Sequence, residues 1–250
     1  MTLRETATPS GVVEATLYRL IARQAEVRKI EPIGERFRLV TMAGADLEDR
    51  AWTPGDMIQI AFAGWEHRAY TPLAFDPRTG TAEFLGYVHG NGIGSAWLAS
   101  ASIGERRFLA GPRAAVNLNA LRRPAIFFGD ETSFSTAAAM RATPFGLRDV
   151  LFVFEVSSTE DSHAVLDRIG VTDDVTLMPR EHDDRHLERI EHQVLEAFKA
   201  GREAQGIFTG KASSIQRLYK SLRKSGVSSK QITNVAYWAP GRKGFSGIQR

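Results

Sequence analysis

Between about Ala15 and Asn119 the chain alternates apolar and polar positions in short runs, and each run ends at a turn signal. The runs Ile21 to Ile30, Phe37 to Met42, Met57 to Phe62, His67 to Leu73, Thr81 to Val88 and Arg107 to Leu109 have strand character. Pro32-Ile33-Gly34, Thr53-Pro54-Gly55-Asp56 and Asp76-Pro77-Arg78-Thr79-Gly80 punctuate them, with Gly tolerating positive φ and Pro fixing its own. Six short strands at this spacing predict a small antiparallel barrel.

After Arg122-Arg123-Pro124 the pattern changes. Continuous apolar runs of strand length, Ala125 to Phe128, Val150 to Phe154, Val175 to Met178, Gly206 to Thr209 and Ile232 to Tyr237, alternate with helical patterns near Thr132 to Ala142, His163 to Ile169, Leu187 to Ala200 and Ser213 to Lys224. Strands that are apolar on both faces and alternate with helices predict a parallel sheet covered on each side. The expected organisation is therefore a polar, mobile tail over 1–14, a β barrel over 15–121 and an α/β domain over 122–250.

Composition narrows the chemistry. An apolar fraction of 43% with 24% charged residues is that of a globular protein, and no run reaches the roughly 18 apolar residues of a membrane helix. The first ten residues lack the apolar centre of a secretory signal, so a cytoplasmic location is expected. With no cysteine, disulfides, thiol catalysis and a cysteine-held iron–sulfur cluster are excluded, leaving redox chemistry to a bound organic cofactor or a metal held by other groups. A net charge of +3, scattered among acidic residues, gives no stripe for nucleic acid.

Two segments carry candidate chemistry. In Arg68-Ala69-Tyr70-Thr71-Pro72 strand periodicity puts Arg68 and Tyr70 on one face; a guanidinium suits a pyrophosphate and a phenol suits a flat ring system. Some twenty residues later, His89-Gly90-Asn91-Gly92-Ile93-Gly94-Ser95 leads into Ala96-Trp97, the composition of a turn whose N–H groups meet phosphate at a helix start. Either segment alone is compatible with an ordinary strand or hairpin; their order favours a flavin site. In the second half Gly129-Asp130-Glu131-Thr132-Ser133 falls after the first parallel strand, where such sheets bind ligands and where these residues also serve as helix caps. His163, His182, His186 and His192 stand in acidic segments read as solvated, and the spacing from Glu181 to His186 matches no zinc pattern.

With these motifs the chain resembles the siderophore-interacting protein family, flavin-dependent ferric-siderophore reductases of the ferredoxin-reductase superfamily. The resemblance runs from Ala22 to Arg242 and also rests on Ala110-Gly111-Pro112 and Tyr237-Trp238-Ala239-Pro240-Gly241-Arg242. It implies an FAD-binding barrel and an NAD(P)H-binding α/β domain. Arg68 would contact the FAD pyrophosphate, Ala69 and Tyr70 would border the ring, and Thr71 would approach flavin N5. His89, Gly92, Gly94 and Ser95, with Trp97 downstream, would hold the other edge of the flavin and its phosphates. Asp130, Glu131 and Thr132 would line the approach of the nicotinamide, with Thr71, Glu131 and Thr132 nearest the chemistry. Gly210 and Lys211 would border the dinucleotide, Trp238 would lie close to the flavin pocket, and Arg242 with Lys243 would meet a ferric siderophore. Leu73, Arg113-Ala114-Ala115 and Phe134-Ser135-Thr136 depart from the family pattern.

The resemblance implies transfer of electrons from NADPH or NADH through FAD to ferric iron, with the protein a monomer or weak dimer. Two other readings use the same residues: a flavin reductase serving a different small-molecule or protein acceptor, and a flavoprotein or siderophore-binding module without enzymatic turnover.

Overall fold

The computed structural model describes residues 23–62, 66–90, 92–144, 146, 148–201 and 203–241. The tail over 1–14, Asn91, Arg242 and Lys243 lie outside these residues. The chain divides into two compact units, one ending at Ala115 and one beginning at Val116.

The first unit is antiparallel. Its strands are β1 (Arg23–Ile33), β2 (Phe37–Ala43), β3 (Met57–Ala61), β4 (His67–Tyr70), β5 (Pro72–Asp76), β6 (Thr81–Tyr87) and β7 (Arg106–Arg113), joined in one sheet in the order β4-β3-β7-β1-β2-β6-β5. Helix α1 (Ile93–Ser100) is inserted between β6 and β7. The expectation of six strands is corrected to seven, because the run from His67 to Leu73 is two strands. Pro72 has no N–H for a ladder and restricts the backbone of Thr71 before it. At that point the chain leaves one partner for another: Tyr70 opposes Ile58 of β3, whereas Pro72 opposes Phe84 of β6. The two edge strands are thus consecutive in sequence, so the sheet curls on itself into a barrel-like form without closing. Inside it Val27, Val40, Met42, Ile58, Ile60, Phe84 and Leu109 are fully buried, each contributing about 1.5–3 kcal/mol if the larger side chains are taken as typical.

The second unit is a parallel sheet of β8 (Ala125–Gly129), β9 (Val150–Val156), β10 (Val175–Pro179), β11 (Gln205–Lys211) and β12 (Ile232–Trp238), in the order β10-β9-β8-β11-β12. Strand order reverses between β8 and β11, so the carboxyl ends of these two strands flank the crevice where doubly wound sheets take their ligands. Helices α2 (Phe134–Ala139), α3 (Thr159–Ile169), α4 (His186–Ala200) and α5 (Ala212–Lys224) connect the strands. Apolar residues recur at helical spacing in α4 (Leu187, Ile190, Val194, Phe198) and α5 (Ile215, Leu218, Leu222), and both stripes pack with Ile126, Phe128, Val153 and Phe208 of the sheet. Phe127, Phe152 and Phe154 form a separate aromatic group, with Phe134 of α2 edge-on to Phe154 at 4.8 Å.

His186, read from the sequence as solvated, is fully buried. Its Nδ1 accepts the Glu181 N–H at 3.2 Å, so the proton of the neutral ring resides on Nε2, which donates to Glu155 at 2.9 Å. Ser214 donates to the same Glu155 oxygen at 3.1 Å. One buried carboxylate thereby ties β9 to the first turns of α4 and α5.

Candidate functional site

In the first unit the two motifs meet. Gly92 is the N-cap of α1 with φ 91°, and Gly94 rests against β4: a Cβ there would lie 2.9 Å from Arg68 Cγ and 2.9 Å from the Tyr70 hydroxyl oxygen. A side chain at 94 would force α1 away from these two groups. Buried Ser95 accepts the Gly90 N–H at 3.0 Å, tying the turn to the helix start. First-turn N–H groups lack intrahelical partners and carry partial positive charge, so α1 and Arg68 bring two sources of positive potential together.

Arg68 donates through Nη2 to Glu66 at 3.2 Å and through Nη1 to the His67 carbonyl at 2.9 Å. An ion pair as exposed as Arg68–Glu66 is worth about 0–1 kcal/mol, and a pyrophosphate offering bidentate acceptors would outcompete it. The Tyr70 ring lies 4.7 Å from Phe84 and 6.3 Å from Trp97. Burial pushes the Tyr70 pKa up more strongly than the charge of Arg68 pulls it down, which keeps the phenol neutral. Trp97 is buried beneath it and donates from Nε1 to Glu105 at 3.2 Å. Thr71 is buried at the β4–β5 pivot, Ala69 is exposed, and exposed His89 lies 6.1 Å from the Tyr87 ring.

In the second unit Asp130 follows β8 and is fully buried. Its Oδ1 accepts the Thr132 N–H at 2.9 Å and also the Thr132 hydroxyl, while Oδ2 accepts the Trp238 Nε1–H at 2.7 Å. Gly210 opposes it across the switch point: at φ 97°, with a Cβ that would fall 2.5 Å from the Asp130 carboxylate, this position is confined to glycine. Burial first, then the negative charge of Glu131, pushes the Asp130 pKa up to about 6, although Arg180 opposes the shift. Asp130, Thr132, Gly210 and Trp238 form one cluster.

Glu131 faces elsewhere. It forms a bidentate pair with Arg180, Oε1 to Nη1 at 2.9 Å and Oε2 to Nη2 at 2.7 Å, and accepts the Ser157 N–H at 2.6 Å. Burial would raise the Glu131 pKa, but the hydrogen bonds and charge of Arg180 outweigh it and hold the carboxyl below its usual range. Arg180 also donates to the Ser157 hydroxyl at 2.9 Å. Lys211, at the end of β11, is paired with Asp184 at 2.9 Å. Arg180 and Ser157 are absent from the residues singled out by sequence; their only signal is position at the carboxyl ends of β10 and β9.

No protein-family model and no curated protein matches the sequence. Solved structures do match. A siderophore utilization protein from T. fusca is 20% identical with a TM-score of 0.67, over 90% of this chain and 95% of that one. The siderophore-interacting protein SipS from Aeromonas hydrophila is 17% identical with a TM-score of 0.72, over 89% and 93%. A ferredoxin NADP+ reductase from Neisseria gonorrhoeae, solved with bound FAD and NADP, is 13% identical with a TM-score of 0.68, over 87% and 99%. At these identities the likeness establishes a ferredoxin-reductase-like fold, and siderophore-interacting proteins, which the sequence motifs resemble, are among the structures that share it.

Proposed function

We propose that this chain is an FAD-dependent NAD(P)H oxidoreductase of the siderophore-interacting kind, reducing ferric iron held in a siderophore. The observation that supports it most is Gly94 seated against Arg68 and Tyr70, which makes one cradle of two motifs that are separately commonplace. The residues fit the cofactor. Arg68 and the start of α1 would hold the pyrophosphate, Tyr70 would pack on the ring with Trp97 as its floor, and Thr71 would lie at the reacting edge. When bound, FAD supplies the change from two-electron acceptance to one-electron delivery. The second unit would orient the nicotinamide, with Asp130, Thr132, Gly210 and Trp238 lining the ring and Glu131 fixing the β8 turn through Arg180. Ferric iron prefers hard oxygen ligands, so its reduction weakens the complex and releases the metal.

The test is direct. The purified protein should be yellow or take up FAD, NAD(P)H should bleach the flavin under anaerobic conditions, and a ferrous chelator should then report turnover of a ferric siderophore. A colourless protein that cannot be reconstituted would overturn the reading. The fold is shared about equally with ferredoxin reductases, so rapid bleaching without ferric-siderophore turnover would favour the other acceptor class.

A further inference from the structure

The ends of β9 and β10 bear on which dinucleotide the second unit accepts, an inference that rests on the function proposed above. In a doubly wound sheet the adenosine ribose is read at the carboxyl end of the second strand: a carboxylate takes the 2′-hydroxyl of NAD, and an arginine takes the 2′-phosphate of NADP. Here the second strand is β9, and the guanidinium beside its end is Arg180. Both of its terminal nitrogens are already engaged. Nη1 serves Glu131 and the Ser157 hydroxyl, Nη2 serves Glu131 and lies 4.0 Å from Asp130, and Nε is buried without a partner. A phosphate could take Arg180 only by displacing Glu131, leaving a buried carboxylate without its counter-charge. The chain leaving β9 adds negative charge, with Glu160 and Asp161 in the first turn of α3.

We propose that this unit selects the dinucleotide that lacks a 2′-phosphate, and that Glu131 sets the choice by holding both terminal nitrogens of Arg180 in a bidentate pair. Exposed Ser157 and its acidic neighbours accept a ribose diol, whereas a 2′-phosphate meets like charge.

Calorimetric titration of the full-length protein with NADH and with NADPH tests this independently of turnover, and flavin bleaching by the same two donors supplies a second readout. NADH should bind more tightly by about tenfold or more, the scale of one hydrogen bond to a charged group. Raising ionic strength should strengthen NADPH binding while leaving NADH nearly unchanged, because salt screens repulsion; this measurement needs no variant. Glu131→Gln should shrink the ratio between the two affinities. A preference for NADPH, NADPH binding that weakens with salt, or an unchanged ratio in a folded Glu131→Gln would overturn the inference. Selective NADH binding without flavin bleaching would instead leave it standing and overturn the reductase reading. Failure to bind either dinucleotide would overturn both.

Discussion

Asp130 and Arg68 are the residues whose charge has the most direct consequences. A carboxyl with its folded pKa pushed up to about 6 retains a proton that the unfolded chain releases near pH 4, so folding stability falls as pH rises between these values. Above that window the full penalty is on the order of 3 kcal/mol. Asp130→Asn removes it, so the melting temperature of the variant relative to the parent should rise from about pH 4 to pH 6 and then level off; a difference independent of pH would count against a raised Asp130. Glu131 has the opposite sign, since its stabilisation is lost as pH falls through its depressed folded pKa; because the two carboxyls repel each other, the comparison reads the pair rather than Asp130 alone. Arg68→Ala should weaken FAD retention by about 1.5–3 kcal/mol for each charge-assisted hydrogen bond lost. Gly94→Val should weaken it as well, by displacing α1 from Arg68 and Tyr70; equilibrium FAD titration of both variants measures this. Arg68, Tyr70 and the glycine turn were legible in the sequence because strand periodicity and local composition mark them. Arg180 was not, because its bond to Glu131 spans 49 residues and has no local pattern.

At the scale of elements, the second unit followed from sequence because doubly buried strands and amphipathic helices differ plainly in period. The strand count of the first unit differs from the sequence pattern at one place: the alternation of His67 to Leu73 continues through Thr71, and only pairing reveals that Pro72 begins a strand with a different neighbour. The burial of His186 was also hidden, since its flanking acids and arginines look solvated while Glu155, its partner, lies 31 residues away. His186→Ala should cost about 1.5–3 kcal/mol, the scale of a buried hydrogen bond to a charged group, and should loosen α4 and α5 together because Ser214 shares the same carboxylate oxygen. Urea denaturation gives the magnitude, and amide exchange in α4 and α5 reports whether both helices respond. A loss confined to α4 would limit the tie to one helix.

At the scale of the whole molecule, a net charge of +3 suits a bulky anionic acceptor held loosely. The apparent KM for an anionic ferric siderophore is expected to rise with ionic strength, since exposed charges are screened over about 10 Å at 0.1 M, and replacing both Arg242 and Lys243 should blunt that rise. A salt-independent KM in the parent protein would favour recognition by shape. The joined edge strands also govern how this chain tolerates changes in length. Turns such as 77–80 can absorb extra residues at modest entropic cost, but the step from β4 to β5 is Thr71 alone. An added residue there would shift one strand against its partner and turn alternate side chains to the opposite face, carrying either Arg68 and Tyr70 or the buried Phe75 out of place. Single-residue insertions scanned along the first unit should therefore be accepted near Thr79 and rejected at Thr71, so that related chains would vary in length around this point without ever lengthening through it.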